Sequence, residues 1–247
     1  MSLYQALREP PILTAVIGAM CQDGVVLIAD TKLTHGIDRR HKHKIDEKIS
    51  YDLEHFLIGY SGTTQTFKIF KQYIVGNLVL GQITRTDNFP DNISRACHCI
   101  SKLNQIAKPN DNIEFLAVNH SFKHSQLYHI DEFGEAYRKS YYSIGSGQED
   151  ADDFCRSLPF KQISMSDFAI PAVRAIRFME QNRRGLGVGG PITIRYMGYD
   201  SEWDVKPSDD EVNDFEKSAR KYLRDFNGRK NLMIQKSRRE LMMRKRS

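Results

Sequence analysis

The order of elements along the chain predicts an α+β protein built on antiparallel sheets. Strand-like and helix-like stretches are segregated: strands, two helices, strands, two helices, strands. The patterned region opens on two β-rich runs that meet at Asp23-Gly24, a hairpin turn. The third observation is bulk. In 247 residues, 40% are hydrophobic, enough for the core of one sizeable domain or two small ones. No apolar run approaches the ~20 residues that a membrane span needs.

The elements follow in sequence. Residues 14–21 and 24–31 form the opening hairpin, and 46–51 and 54–60 read as two further strands. The period then changes. From Thr64 to Leu80, Phe67, Phe70, Tyr73 and Ile74 recur at three- and four-residue spacing, the mark of an amphipathic helix. Pro90-Asp91-Asn92 starts a second helix that runs to about Ala107. Strands return at 113–119, 125–130 and 135–144. Helices follow near 147–158 and 165–183, then a strand pair at 191–198 and 202–206. A polar helix over 209–226 precedes a tail. The chain contains no internal repeat and no domain linker.

Charge is distributed unevenly. The net charge is +5, but residues 228–247 hold eight basic residues against the single acid Glu240, a local charge of +7. The remainder is therefore mildly acidic, at −2. A tail of that composition is mobile when alone and helical when docked, since Leu232, Met233, Ile234, Leu241, Met242 and Met243 accompany its charges. The clusters at 39–44 and 228–247 do not interleave aromatics with their charges, so solvated charge or a protein partner fits them at least as well as nucleic acid. The start of the chain lacks the long apolar region of a signal peptide, which makes the cytoplasm the expected location.

Four cysteines, Cys21, Cys97, Cys99 and Cys155, form no disulfide framework and suit a reducing compartment. Cys97-His98-Cys99 invites a metal reading. On a helix, however, residues one and two apart do not share a face, so no metal site is expected there. Gly185 to Gly190 contains a formal G-x-G-x-x-G, but a strand-like segment follows it where dinucleotide binding needs a helix. Gly59-Tyr60-Ser61-Gly62 is one residue short of a serine-hydrolase elbow. No cofactor is expected.

Thr14 is the first residue of the first strand. A plain β-branched strand residue is one reading. The other is a nucleophile. A threonine there has no base of its own, but a cut before it frees an α-amine that can take the hydroxyl proton. The reference pKa of that amine, about 7.7–8.0, suits base work near neutrality.

The opening resembles proteasome-type subunits, the threonine peptidase branch of the N-terminal nucleophile hydrolases. The residues that carry the resemblance are Thr14, Gly18, Asp23-Gly24, Asp30, Lys48-Ile49, Gly62, Ser143 to Gln148 and Gly189-Gly190. They cover roughly residues 14 to 200. The resemblance implies a four-layer αββα sandwich, two antiparallel sheets between helix pairs. It divides the chain into a leader (1–13), a proteasome-like domain (14–226) and the basic tail (227–247).

It also implies roles. Thr14 is the nucleophile. Asp30 orients Lys48, whose charge keeps the α-amine neutral and basic; a surface ion pair is the alternative. Ser146 supports the nucleophile and amine, a role that does not exclude capping the next helix. The Gly62 N–H faces the oxyanion, or Gly62 merely ends a strand. Leu33 and Tyr60 line the substrate pocket. The implied substrate is a peptide or unfolded protein, and the implied assembly is a homo- or hetero-oligomeric ring, with the tail on a neighbouring subunit or an acidic partner.

The chain departs from the family pattern at two places. Leu13 stands where a Gly normally precedes the nucleophile. Gly185 and Val188 stand where an Asp and a Ser precede the Gly-Gly pair. They keep open a second reading, a catalytically silent subunit that acts as a scaffold.

Overall fold

A computed structural model describes residues 14–33, 44–45, 48–53, 56–62, 72, 114–121, 124–131, 133, 135–182, 188–199 and 205–244. The leader, the loop over 34–43, most of the two helices expected at 64–80 and 90–107 (Cys97 to Cys99 among them), and residues 183–187 lie outside that set.

The strands are β1 (Val16–Met20), β2 (Gly24–Asp30), β3 (Lys32–Leu33), β4 (Lys44–Ile45), β5 (Ile49–Leu53), β6 (Phe56–Ser61), β7 (Glu114–Ser121), β8 (His124–Ile130), β9 (Ala136–Lys139), β10 (Tyr141–Ile144) and β11 (Ile192–Gly198). The helices are α1 (Gln148–Cys155), α2 (Met165–Asn182) and α3 (Asp209–Arg244). One antiparallel sheet runs β10-β1-β2-β11 and a second runs β5-β6-β7-β8-β9, with β3 and β4 paired apart. This is the α+β class anticipated from the order of elements, in the sandwich arrangement that the resemblance implied.

Side-chain alternation explains why the opening hairpin is apolar throughout. Along β1, Ile17 and Ala19 face one way, into a core shared with Phe168, Ala172, Val173 and Ile176 of α2 and with Phe215 and Ala219 of α3. Val16 faces the other way, among Leu27, Leu57, Leu116, Val118 and Leu127, between the two sheets. A central strand covered on both faces has no polar face to show, so it reads as a continuous hydrophobic run. The sheets meet closely where glycines leave room: a Cβ on Gly59 would lie 2.6 Å from Val16 Cγ1.

Two elements differ from the sequence expectation, and a third falls mostly outside the described residues. The strand expected over 135–144 divides at Ser140, and its halves join different sheets: β9 pairs with β8, and β10 with β1. Most of the strand expected over 202–206 lies outside the described residues; within them, Val205 forms a bridge with Tyr196. The helix expected over 209–226 continues unbroken to Arg244. Gly228, a poor helix former, does not interrupt it, because one Gly costs only ~1 kcal/mol and good helix formers surround it.

Candidate active site

The site is built on the open end of the β1–β2 hairpin. Val16 of β1 pairs with Ala29 of β2, which sets Thr14 and Ala15 alongside Asp30. The pairing is extended by the Asp30 N–H, which donates to the Ala15 carbonyl at 3.2 Å. The Asp30 carboxylate then reaches back. Its Oδ1 accepts the Ala15 N–H at 2.9 Å and the Lys48 ammonium at 2.7 Å. Since one oxygen serves both donors, the Lys48 cation lies within a residue of Thr14. The Asp30 Oδ2 accepts the Gly189 N–H at 3.1 Å.

The Lys48–Asp30 pair is buried, with Lys48 1% and Asp30 0% exposed. The alternative of a surface ion pair is therefore set aside. Burial pushes the Asp30 carboxyl up from its ordinary range, while the Lys48 ammonium and the Ala15 and Gly189 amides oppose that shift. A buried ion pair is a poor stabiliser, because desolvation consumes most of the Coulombic gain. Stability alone thus gives little reason for this pair to stand beside the start of β1. Lys48 enters the site because it immediately precedes β5, and its carbonyl accepts the Tyr60 N–H at 3.1 Å.

Thr14 is itself buried, 2% exposed. Its backbone N–H donates to Ser146 Oγ at 3.2 Å, and its carbonyl accepts the Gly147 N–H at 3.4 Å. The turn between β10 and α1 thereby holds Thr14 from a second direction. Gly145 makes this approach feasible. It has φ +92°, and a Cβ there would sit 2.2 Å from the Thr14 carbonyl oxygen. The same Cβ would lie 3.1 Å from Ser61 Oγ, so the end of β6 also borders the site. Gly62 follows directly, at φ +124°. The N-cap position of α1 is Gly147, one residue beyond Ser146.

Of the seven residues singled out from the sequence, Thr14, Asp30, Lys48 and Ser146 are joined by hydrogen bonds directly or through Ala15. Gly62 stands next to Ser61 at the end of β6. Tyr60 is buried, 2% exposed. Leu33 lies in β3, and its side chain falls outside the described set. Sequence reasoning overlooked Thr31, buried beside Asp30, whose hydroxyl donates to the Pro191 carbonyl at 2.7 Å and so ties β2 to the start of β11. It also missed that a backbone donor, Gly189, would serve Asp30, since amide direction leaves no mark in residue type. Val188, which stands where a polar partner was expected, is buried in the helix-side core, 4% exposed.

No group of three or more His, Cys, Asp or Glu among the described residues could hold a metal ion. None of the described helices is long and apolar enough to cross a membrane.

Comparison with known proteins agrees with this architecture. The family model described as "Proteasome subunit" matches residues 14–187. Among solved structures, "Anbu (ancestral beta-subunit) from Yersinia bercovieri" superposes with a TM-score of 0.69 at 13% identity, covering 87% of this chain and 96% of that one. An Anbu (Gly-1) mutant from Hyphomicrobium sp. strain MC1 gives 0.68 at 14% identity with the same coverage. No curated protein sequence matches. Identities this low establish a shared fold only, but the family model spans well over half of the chain, beginning at Thr14 itself, and the chain belongs to the proteasome subunit family.

Proposed function

We propose that the protein is a proteasome-like threonine peptidase whose nucleophile is Thr14, exposed by cleavage of the Leu13–Thr14 bond. The observation that carries this reading is the buried Lys48–Asp30 pair, anchored to Ala15 and so placed beside Thr14. In the cut chain, the Thr14 hydroxyl attacks the carbonyl carbon of a peptide bond and its proton passes to the α-amine. The tetrahedral intermediate collapses as the C–N bond breaks, and the α-amine returns the proton to the departing amine. Water, deprotonated by the same amine, then hydrolyses the ester and restores Thr14.

Each neighbour has a part in this scheme. The Lys48 cation favours the neutral, basic form of the amine, and Asp30 holds Lys48 in place. Ser146, already 3.2 Å from the Thr14 nitrogen, keeps that nitrogen oriented. The Gly62 N–H meets the developing oxyanion. Leu33 and Tyr60 border the substrate side chain. The working form is a homo- or hetero-oligomeric ring acting on peptides or unfolded protein, with the basic end of the chain against a neighbouring subunit.

Val188 favours a second reading, a silent subunit that completes an assembly, because an apolar side chain occupies the position where the family supplies a polar one. Intact mass of the purified protein, read together with peptide turnover, separates the two. Loss of residues 1–13 with turnover that Thr14→Ala abolishes supports the peptidase. A full-length chain without turnover supports the scaffold. Light scattering tests the ring: a monomer at every salt concentration defeats it.

A further inference from the structure

The turn that presents Gly189 to Asp30 is held from its far side as well. Arg177 Nη1, on α2, donates to the Gly190 carbonyl at 2.9 Å and to Glu180 Oε2 at 2.6 Å. Its Nε donates to Glu216 Oε2 at 2.8 Å and to Oε1 at 3.1 Å, and its Nη2 donates to Glu216 Oε1. Glu216 belongs to α3. The Arg177 and Glu216 side chains are each only 14% exposed. Gly189 backs onto this network: at φ +143°, a Cβ on it would lie 2.7 Å from Glu180 Oε1.

The guanidinium suits the task because its donors are fixed in one plane. Engaging Glu216 on one side aims Nη1 at the Gly190 carbonyl on another, which a single ammonium on a flexible stem cannot reproduce. Hydrogen bonds therefore link α3 to Arg177, Arg177 to the turn, and the turn to the carboxylate beside Thr14. We propose that Arg177 is a positioning residue: clamped by Glu216, it fixes the Gly189–Gly190 turn so that the Gly189 N–H meets Asp30, and thereby ties the docking of the C-terminal helix to the geometry at Thr14. Its value for catalysis rests on the peptidase reading, whereas its effect on the turn is readable without turnover.

Residue-resolved hydrogen exchange on the full-length protein tests it, comparing Gly189 and Ala15, which both donate to Asp30, with Ile28 in the core as reference. In Arg177→Met, the Gly189 amide should exchange about 10-fold faster or more, as expected when charge-assisted hydrogen bonds are lost. Ala15 and Ile28 should be unchanged. Glu216→Gln should give a smaller effect in the same direction, and Arg177→Lys should not rescue. If Arg177→Met fails to fold, Glu216→Gln decides alone. An unchanged Gly189 in the folded variants overturns the proposal, as does a uniform acceleration at all three amides. Should the wild-type protein turn over peptide, Arg177→Lys should lower kcat and leave KM in place. A wild type inert toward peptides, with the Gly189 result intact, removes the peptidase reading and leaves the positioning role standing.

Discussion

The two ends of the β2 strand each carry an aspartate, and the two do different work. Asp23 sits in the turn that begins the strand and is exposed to solvent. Its Oδ1 accepts the Met165 N–H at 2.8 Å, satisfying one of the orphan donors at the start of α2. Asp30 ends the strand and is fully buried, with Lys48, Ala15 and Gly189 all donating to it. Local chemistry is the same at both ends; what differs is access to water. Where solvent can replace a lost partner, a carboxylate is a modest structural cap. Where it cannot, removing the carboxylate strands a cation and two amides.

That contrast predicts a graded set of outcomes. Asp30→Ala should have the largest effect, about 3–5 kcal/mol of lost stability in urea unfolding, because it leaves the Lys48 charge buried and unpaired. A loss no greater than that of Asp23→Ala would erase the distinction between the two ends. Next, Lys48→Ala should slow peptide hydrolysis on the order of 10²-fold, equivalent to roughly 2.7 kcal/mol of barrier. Unchanged rates would remove Lys48 from the chemistry while leaving its structural pairing intact.

Gly145→Ala probes the same end of the hairpin by a different route. Its φ of +92° and the 2.2 Å approach to the Thr14 carbonyl mean that a methyl group must displace backbone. A destabilisation of about 1–3 kcal/mol is expected, measurable by thermal unfolding. Finally, Asp23→Ala should cost about 0.5–2 kcal/mol, the range of a lost cap, and should leave hydrolysis rates alone. A rate change in Asp23→Ala would show that the turn end communicates with the site, and would blur the comparison.

Much of the candidate site was legible because its residues lie in recognisable local settings. Thr14 stands just before a strand, Asp30 closes the next, and Ser146 stands between two glycines before a helix. The fold class was legible for the same reason: period-2 and period-3.6 stretches are local properties of the chain. What stayed hidden depends on contacts between distant segments. Nothing near Ser140 announces that the strand over 135–144 must divide, since the division is imposed by two separate sheets claiming its halves. Arg177 carries no motif, and its role emerges only when α2 packs between α3 and the Gly189–Gly190 turn.

The amino-acid sequence by itself determined the class of the fold, the hairpin that carries Thr14, and the residue types on which the proposed chemistry draws, because periodicity, turn chemistry and side-chain chemistry are written residue by residue. The tertiary structure alone decided that Asp30 and Lys48 meet out of water, that backbone amides of Ala15 and Gly189 complete the carboxylate's partners, and that an arginine on one helix links another helix to that carboxylate. Burial and hydrogen-bond direction are properties of packed surfaces, and they come into being only when segments far apart in the chain close around the same point.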